Sequence, residues 1–209
     1  MMIGMTKDRH EILNTISHAL GILLGIVGLI FLLIKNRNIT SYSTFSIWMY
    51  GISVIVLYSS STIYHYFANE NLKKKARMFD HMSIYLLIAG TYTPVCLITL
   101  SHASGWTLFF IVWTIAALGV VMKIFLTGKV DWLSLILYLA MGWMVIFDLK
   151  NVISEMSFHG LLFLAIGGAL YTLGTIFYAI EKIPYSHFIW HLFVLGGSLS
   201  HYIMIYSIV

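Results

Sequence analysis

Apolar and polar residues alternate along this chain on the scale of a membrane rather than of a soluble helix. Seven predominantly apolar runs lie at about 12–34, 44–67, 80–100, 106–126, 132–147, 158–180 and 185–209, separated by short polar segments. A helix needs about 20 apolar residues to cross the hydrocarbon core of a bilayer. All the runs meet that length except 132–147, which is near the lower limit. The pattern predicts an all-α integral membrane protein, one domain over residues 1–209, built as a seven-transmembrane helical bundle.

Polar residues interrupt these runs at helical spacing. Glu11, Asn14 and His18 stand at i, i+3 and i+7, one face of the first helix, which must point into the bundle. Gly21, Gly25 and Gly28 continue at small-residue spacing, suited to close helix approach, and Gly160, Gly167, Gly168 and Gly174 do the same in the sixth run. Ser61 and His65 share a face at the end of the second run, and His187 and His191 share one at the start of the last. Asp80 opens the third run, and Pro94 within it is expected to kink the helix.

Composition narrows the class further. Hydrophobic residues make up 60% of the chain and charged ones 10%, with a mean hydropathy of +0.90, far from the balance of a soluble domain. The short N-terminal segment and long first run read as a retained span rather than a cleaved signal. A net charge of +4 does not imply nucleic acid, because the basic residues lie between the apolar runs. With seven spans, Lys7, Arg9, Lys73, Lys74, Lys75, Arg77, Lys123, Lys129 and Lys182 fall on one side and Lys35, Arg37 and Lys150 on the other. Such a bias predicts a cell-membrane protein with its N-terminus cytoplasmic and its C-terminus outside. Cys96 is the single cysteine, so neither an intramolecular disulfide nor a cysteine metal cluster is available.

Orientation sets depth. His65 closes an inward-going helix, Asp80 opens an outward-going one, and His187 and His191 occupy the first turns of another. All lie near the cytoplasmic leaflet, with His18 roughly 10 Å into its helix at a comparable level. His201 is about 15 Å beyond His191 and is excluded. Histidines His65, His187 and His191 form the ligand set of a catalytic zinc site that leaves one position for water. Iron, nickel or copper also suit nitrogen ligands. In the alternative, these histidines are hydrogen-bonded interface residues. Asp80 can serve as general base toward a metal-activated water, or simply cap its helix. Ser61 can orient Asp80 or a substrate carbonyl. A hydrolase so placed would cut an amide or ester of a membrane lipid, a substrate carrying an acyl chain.

The Ser61-x-x-x-His65 pair, Asp80, Ala89-Gly90-Thr91-Tyr92-Thr93-Pro94 and His187-x-x-x-His191 resemble the hemolysin III branch of the progestin and adipoQ receptor family. Glu11-x-x-Asn14-x-x-x-His18-x-x-Gly21 is similar to the bacterial members. The resemblance implies seven helices with the N-terminus inside, zinc on the three histidines, an aspartate reaching the metal through water, and a serine close by. It also implies a link to ceramidase-like hydrolysis and to membrane lipid homeostasis. Hormone-related regulation is not carried over, since no long N-terminal domain precedes the first run. Two other readings stand beside a zinc-dependent lipid hydrolase: a cytolysin, suggested by the family name, and a lipid-sensing regulator with structural zinc. A retinal protein would need a lysine in the last run, where 187–209 has none, and a G-protein-coupled receptor would have its N-terminus outside. The roles of Glu11, Asn14 and His18 stay open at this level.

Overall fold

The computed structural model describes residues 2–129, 131–180 and 182–209, with side chains from Arg9 onward. Glu181, which begins the turn expected at 181–184, and the side chain of Lys7, used in the charge count, lie outside the described residues. The helices in chain order are α1 (Met2–Lys35), α2 (Ser43–Tyr66), α3 (Glu70–Pro94), α4 (Gly105–Leu126), α5 (Asp131–Gly142), α6 (Leu149–Glu155), α7 (Phe158–Ala179) and α8 (Ser186–Ile208). A π-helical turn, Val95–Thr99, continues α3, and a 3-10 segment, Trp143–Asp148, joins α5 to α6. Counted as continuous helical rods, seven among the described residues are long and apolar enough to cross a membrane. The protein is an all-α, multi-pass membrane protein.

Two boundaries depart from the hydropathy pattern. The third rod starts at Glu70, ten residues before Asp80, with Asn69 as its cap: the Asn69 side chain accepts from the backbone N–H groups of Asn71 and Leu72. The segment 68–79, expected as a loop, is therefore mostly helix, and Asp80 does not cap anything. The physical reason is that Glu70-Asn71-Leu72-Lys73-Lys74-Lys75-Ala76-Arg77 is polar but rich in good helix formers, so the helix outruns its apolar stretch. Likewise the fifth rod runs Asp131–Glu155 instead of stopping at 147, because 148–155 continues as helix where a loop was expected.

The break expected at Pro94 is a widening of the helix. Pro94 cannot donate to the preceding turn, and the chain passes into the π-helical turn directly after it. Opposite, the Tyr92 hydroxyl donates to Gly142 O at 2.7 Å and accepts from Val145 N at 2.9 Å, where α5 tightens into the 3-10 segment. Two irregular stretches are thus joined by one buried side chain.

In lipid, helices gain little by hiding apolar groups from one another, so close contact and internal hydrogen bonds hold the bundle. α1 packs on α2, α2 on α3, α3 on α4, α7 on α8, and α8 returns to α1. The glycines expected at close contacts are at them: a Cβ at Gly28 would stand 2.9 Å from the Tyr202 ring, and one at Gly174 would stand 2.7 Å from Phe193. Gly168 is not at so close a contact: a Cβ there would stand 3.9 Å from the Trp143 ring, an ordinary van der Waals distance. Leu23, Phe31, Phe110 and Leu118 are exposed on the outer surface, as lipid-facing residues should be.

Candidate metal centre

The centre is assembled on α2 and α8 with α1 laid alongside. His65 is on the last turn of α2, its register fixed by the buried face Tyr50, Val54, Leu57, Tyr58, Ser61. His187 and His191 are one turn apart at the start of α8, just after Tyr185, whose φ of 60° is left-handed and whose ring stacks on His10 at 4.2 Å. A non-glycine residue in that region is strained, and such residues concentrate at functional sites.

The three histidines expected from depth come together. Ring centroids are 5.1 Å apart for His65 and His187, 4.9 Å for His65 and His191, and 4.7 Å for His187 and His191, a nearly equilateral triangle. One nitrogen from each lies within 4.8 Å of the others, so the group could hold a metal ion. His65 and His191 are buried and His187 is half-buried. His65 Nε2 is buried without a hydrogen-bond partner among the described residues. A metal is a fitting occupant for a lone pair so placed.

Asp80 is half-buried on α3 and has the buried Ser61 hydroxyl as its neighbour. The carboxylate is not one of the groups within that 4.8 Å cluster. His201 is away from the triad, as expected, with Nε2 3.4 Å from Leu164 O and its ring against Gly167.

The polar stripe of α1 resolves into distinct roles. Glu11 Oε2 is 2.7 Å from His65 Nδ1, and Glu11 Oε1 accepts from Lys73 Nζ at 2.6 Å. His18 stacks flat on His191 with centroids 3.7 Å apart and meets Tyr58 edge-on at 5.1 Å. Asn14 is buried, and its backbone carbonyl accepts from Ser17, whose hydroxyl also lies 3.3 Å from His191 Nδ1. Ser17 was not singled out in the sequence, although it sits one residue before His18 on the inward stripe.

A second polar cluster lies beside the first and was also missed. Lys123 of α4, 1% exposed, reaches Asp131 Oδ1 at 2.8 Å and His81 Nδ1 at 3.2 Å, while Arg77 donates to Asp131 Oδ2 at 2.8 Å. The Tyr138 hydroxyl donates to the His81 backbone carbonyl at 2.7 Å. In the sequence these charges sit at the ends of apolar runs, where orientation in the membrane already accounts for them.

A multi-pass helical membrane protein with three histidines from two distant helices converging on one point defines a class of candidate metalloproteins. The chain's residues 7–202 match the model for the family described as Haemolysin-III related, and the protein belongs to that family. It is similar to Hemolysin-3 of Bacillus cereus, 43% identical over 199 residues that cover 94% of this chain and 91% of the relative. It is 44% identical over 197 residues to the Hemolysin-3 homolog of Bacillus subtilis (strain 168), covering 94% and 92%. The human monocyte to macrophage differentiation factor is 31% identical over 204 residues, covering 93% and 82%.

Proposed function

We propose that this protein is a zinc-dependent hydrolase of lipid amide or ester bonds, working near the cytoplasmic leaflet as a single seven-helix domain and serving membrane lipid homeostasis. The observation that carries the reading is the His65–His187–His191 triangle, with Ser61 one turn before His65 on α2 and Asp80 beside Ser61 on α3. Three imidazoles without thiolates suit zinc and leave a position open for chemistry. Zinc held by these three rings would supply Lewis acidity, which polarises a carbonyl and lowers the pKa of water toward neutral. Asp80 takes that proton on a carboxylate oxygen and returns it to the departing amine or alkoxide, while Ser61 orients the carboxylate. The lysine and arginine bias supports a cytoplasmic N-terminus and an outer C-terminus, which puts these residues at the inner leaflet.

The test offers zinc-loaded purified protein vesicles containing N-acyl and O-acyl lipids and measures released fatty acid. Wild type is expected to release it, and Asp80→Ala to keep its zinc but lose release. No release by wild type from any lipid tested would overturn the reading. The names of the Bacillus relatives favour a second reading, lysis of target membranes. Lysis that survives His191→Ala would support it over the hydrolase.

A further inference from the structure

The polar stripe of α1 faces the metal centre, yet the proposed chemistry uses none of it. Glu11 is the most committed member. Both of its carboxylate oxygens are engaged, Oε2 by His65 Nδ1 at 2.7 Å and Oε1 by Lys73 Nζ at 2.6 Å. An acceptor-only carboxylate 2.7 Å from an imidazole nitrogen requires the proton to be on that nitrogen. In the neutral ring His65 Nε2 is then the lone-pair nitrogen, and this is the buried atom that has no partner among the described residues. Ser17 stands in the same relation to His191, 3.3 Å from its Nδ1.

We infer that Glu11 is a positioning residue of the metal centre: it fixes the tautomer and ring angle of His65 so that Nε2 faces the ion, and Lys73 fixes Glu11 in turn. The inference rests on the three histidines being metal ligands. Glu11 is not among the convergent groups: its oxygens are turned to His65 Nδ1 and Lys73 Nζ, and the carboxylate lies outside the cluster of nitrogens. A carboxylate behind a ligating histidine sets the ring's orientation and raises its basicity, and losing such a partner weakens metal binding by about 10–100-fold. The chain of contacts Lys73–Glu11–His65 runs across α3, α1 and α2, so the first helix, which carries none of the three histidines, sets the aim of one.

The experiment compares the wild-type full chain with Glu11→Ala, Glu11→Gln and Lys73→Met in detergent. Zinc affinity is measured by chelator competition, and nitrogen shifts of labelled histidine are recorded on metal-free protein. Glu11→Ala should lose about 10–100-fold in zinc affinity. Glu11→Gln keeps an acceptor for Nδ1–H and should recover most of it, with Lys73→Met between. Metal-free wild type should show His65 protonated at Nδ1, and Glu11→Ala a mixture of tautomers. Cobalt(II) spectra should keep their band positions in Glu11→Ala. A changed band pattern would make Glu11 a ligand and overturn the inference, as would unchanged affinity or His65 protonated at Nε2 in wild type. The tautomer measurement needs no metal and also decides the matter if Glu11→Ala folds poorly. Wild type that bound no zinc would therefore sink the hydrolase reading separately.

Discussion

Lys123 and Asp131 meet at 2.8 Å inside the bundle, the lysine side chain 1% exposed and the aspartate 22%. The pair joins α4 to the first turn of α5, a helix otherwise held to the bundle over short stretches. Removing Asp131 leaves a buried ammonium beside the imidazole of His81 with no carboxylate. Breaking a buried pair from one side costs about 3–5 kcal/mol. Asp131→Ala should therefore lower the melting temperature in detergent more than Lys123→Met, because Arg77 still answers Asp131 when Lys123 is gone. The double variant should be less damaged than the sum of the two. Additive losses would mean that the contact contributes nothing of its own.

Zinc content should depend on each of three rings and not on a fourth. His65→Ala, His187→Ala and His191→Ala are each expected to drop bound metal from about one per chain to near zero, since two nitrogens make a weak site. His201→Gln should leave it unchanged. Elemental analysis of purified protein reads this directly.

Asp80→Asn keeps the shape of the side chain but cannot take a proton. If Asp80 is the base, lipid hydrolysis should fall by about 10²–10⁴-fold while zinc stoichiometry holds. Ser61→Ala should produce a smaller loss in the same assay. Parallel loss of metal and activity in Asp80→Asn would instead make Asp80 part of the ligand set.

Tyr92→Phe removes only the oxygen that bridges Gly142 O and Val145 N. The freed Val145 N–H, which is buried, should cost about 1–3 kcal/mol, with the partly buried Gly142 carbonyl adding little. The expected signature is faster amide exchange confined to 142–148, read by mass spectrometry. Uniform change across the chain would argue against a local tie.

Glycine substitutions should divide according to space. Gly174→Ala must displace Phe193 or Trp190 and should lower the melting temperature, whereas Gly142→Ala meets nothing within 4 Å and should hold or raise it.

Much of this architecture is legible in the sequence for a physical reason: a bilayer forces apolar length and inward-facing polarity onto the chain. His65, His187 and His191 could be grouped because helix spacing and depth are both one-dimensional quantities. The pairing of Glu11 with His65 was not readable, since it crosses 54 positions and depends on the rotation of α1 about its axis. Nor was the start of α3. Hydropathy reports where water ends, while helix propensity decides where the rod ends, and at 70–79 the two disagree. Lys123 was hidden by the same rule that orients the protein, because a cation at a helix end is assumed to face water.

The wide separation of His65 from His187 and His191 along the polypeptide bears on how the protein is made. His65 is inserted early, but its two partners sit on α8, the last of the described helices. A nascent chain stalled before position 187 has every preceding described span and only one of the three rings, so any metal taken up by all three would have to arrive after α8 is in place. The ion, once captured, would bolt an early helix to a late one and mark the moment of maturation.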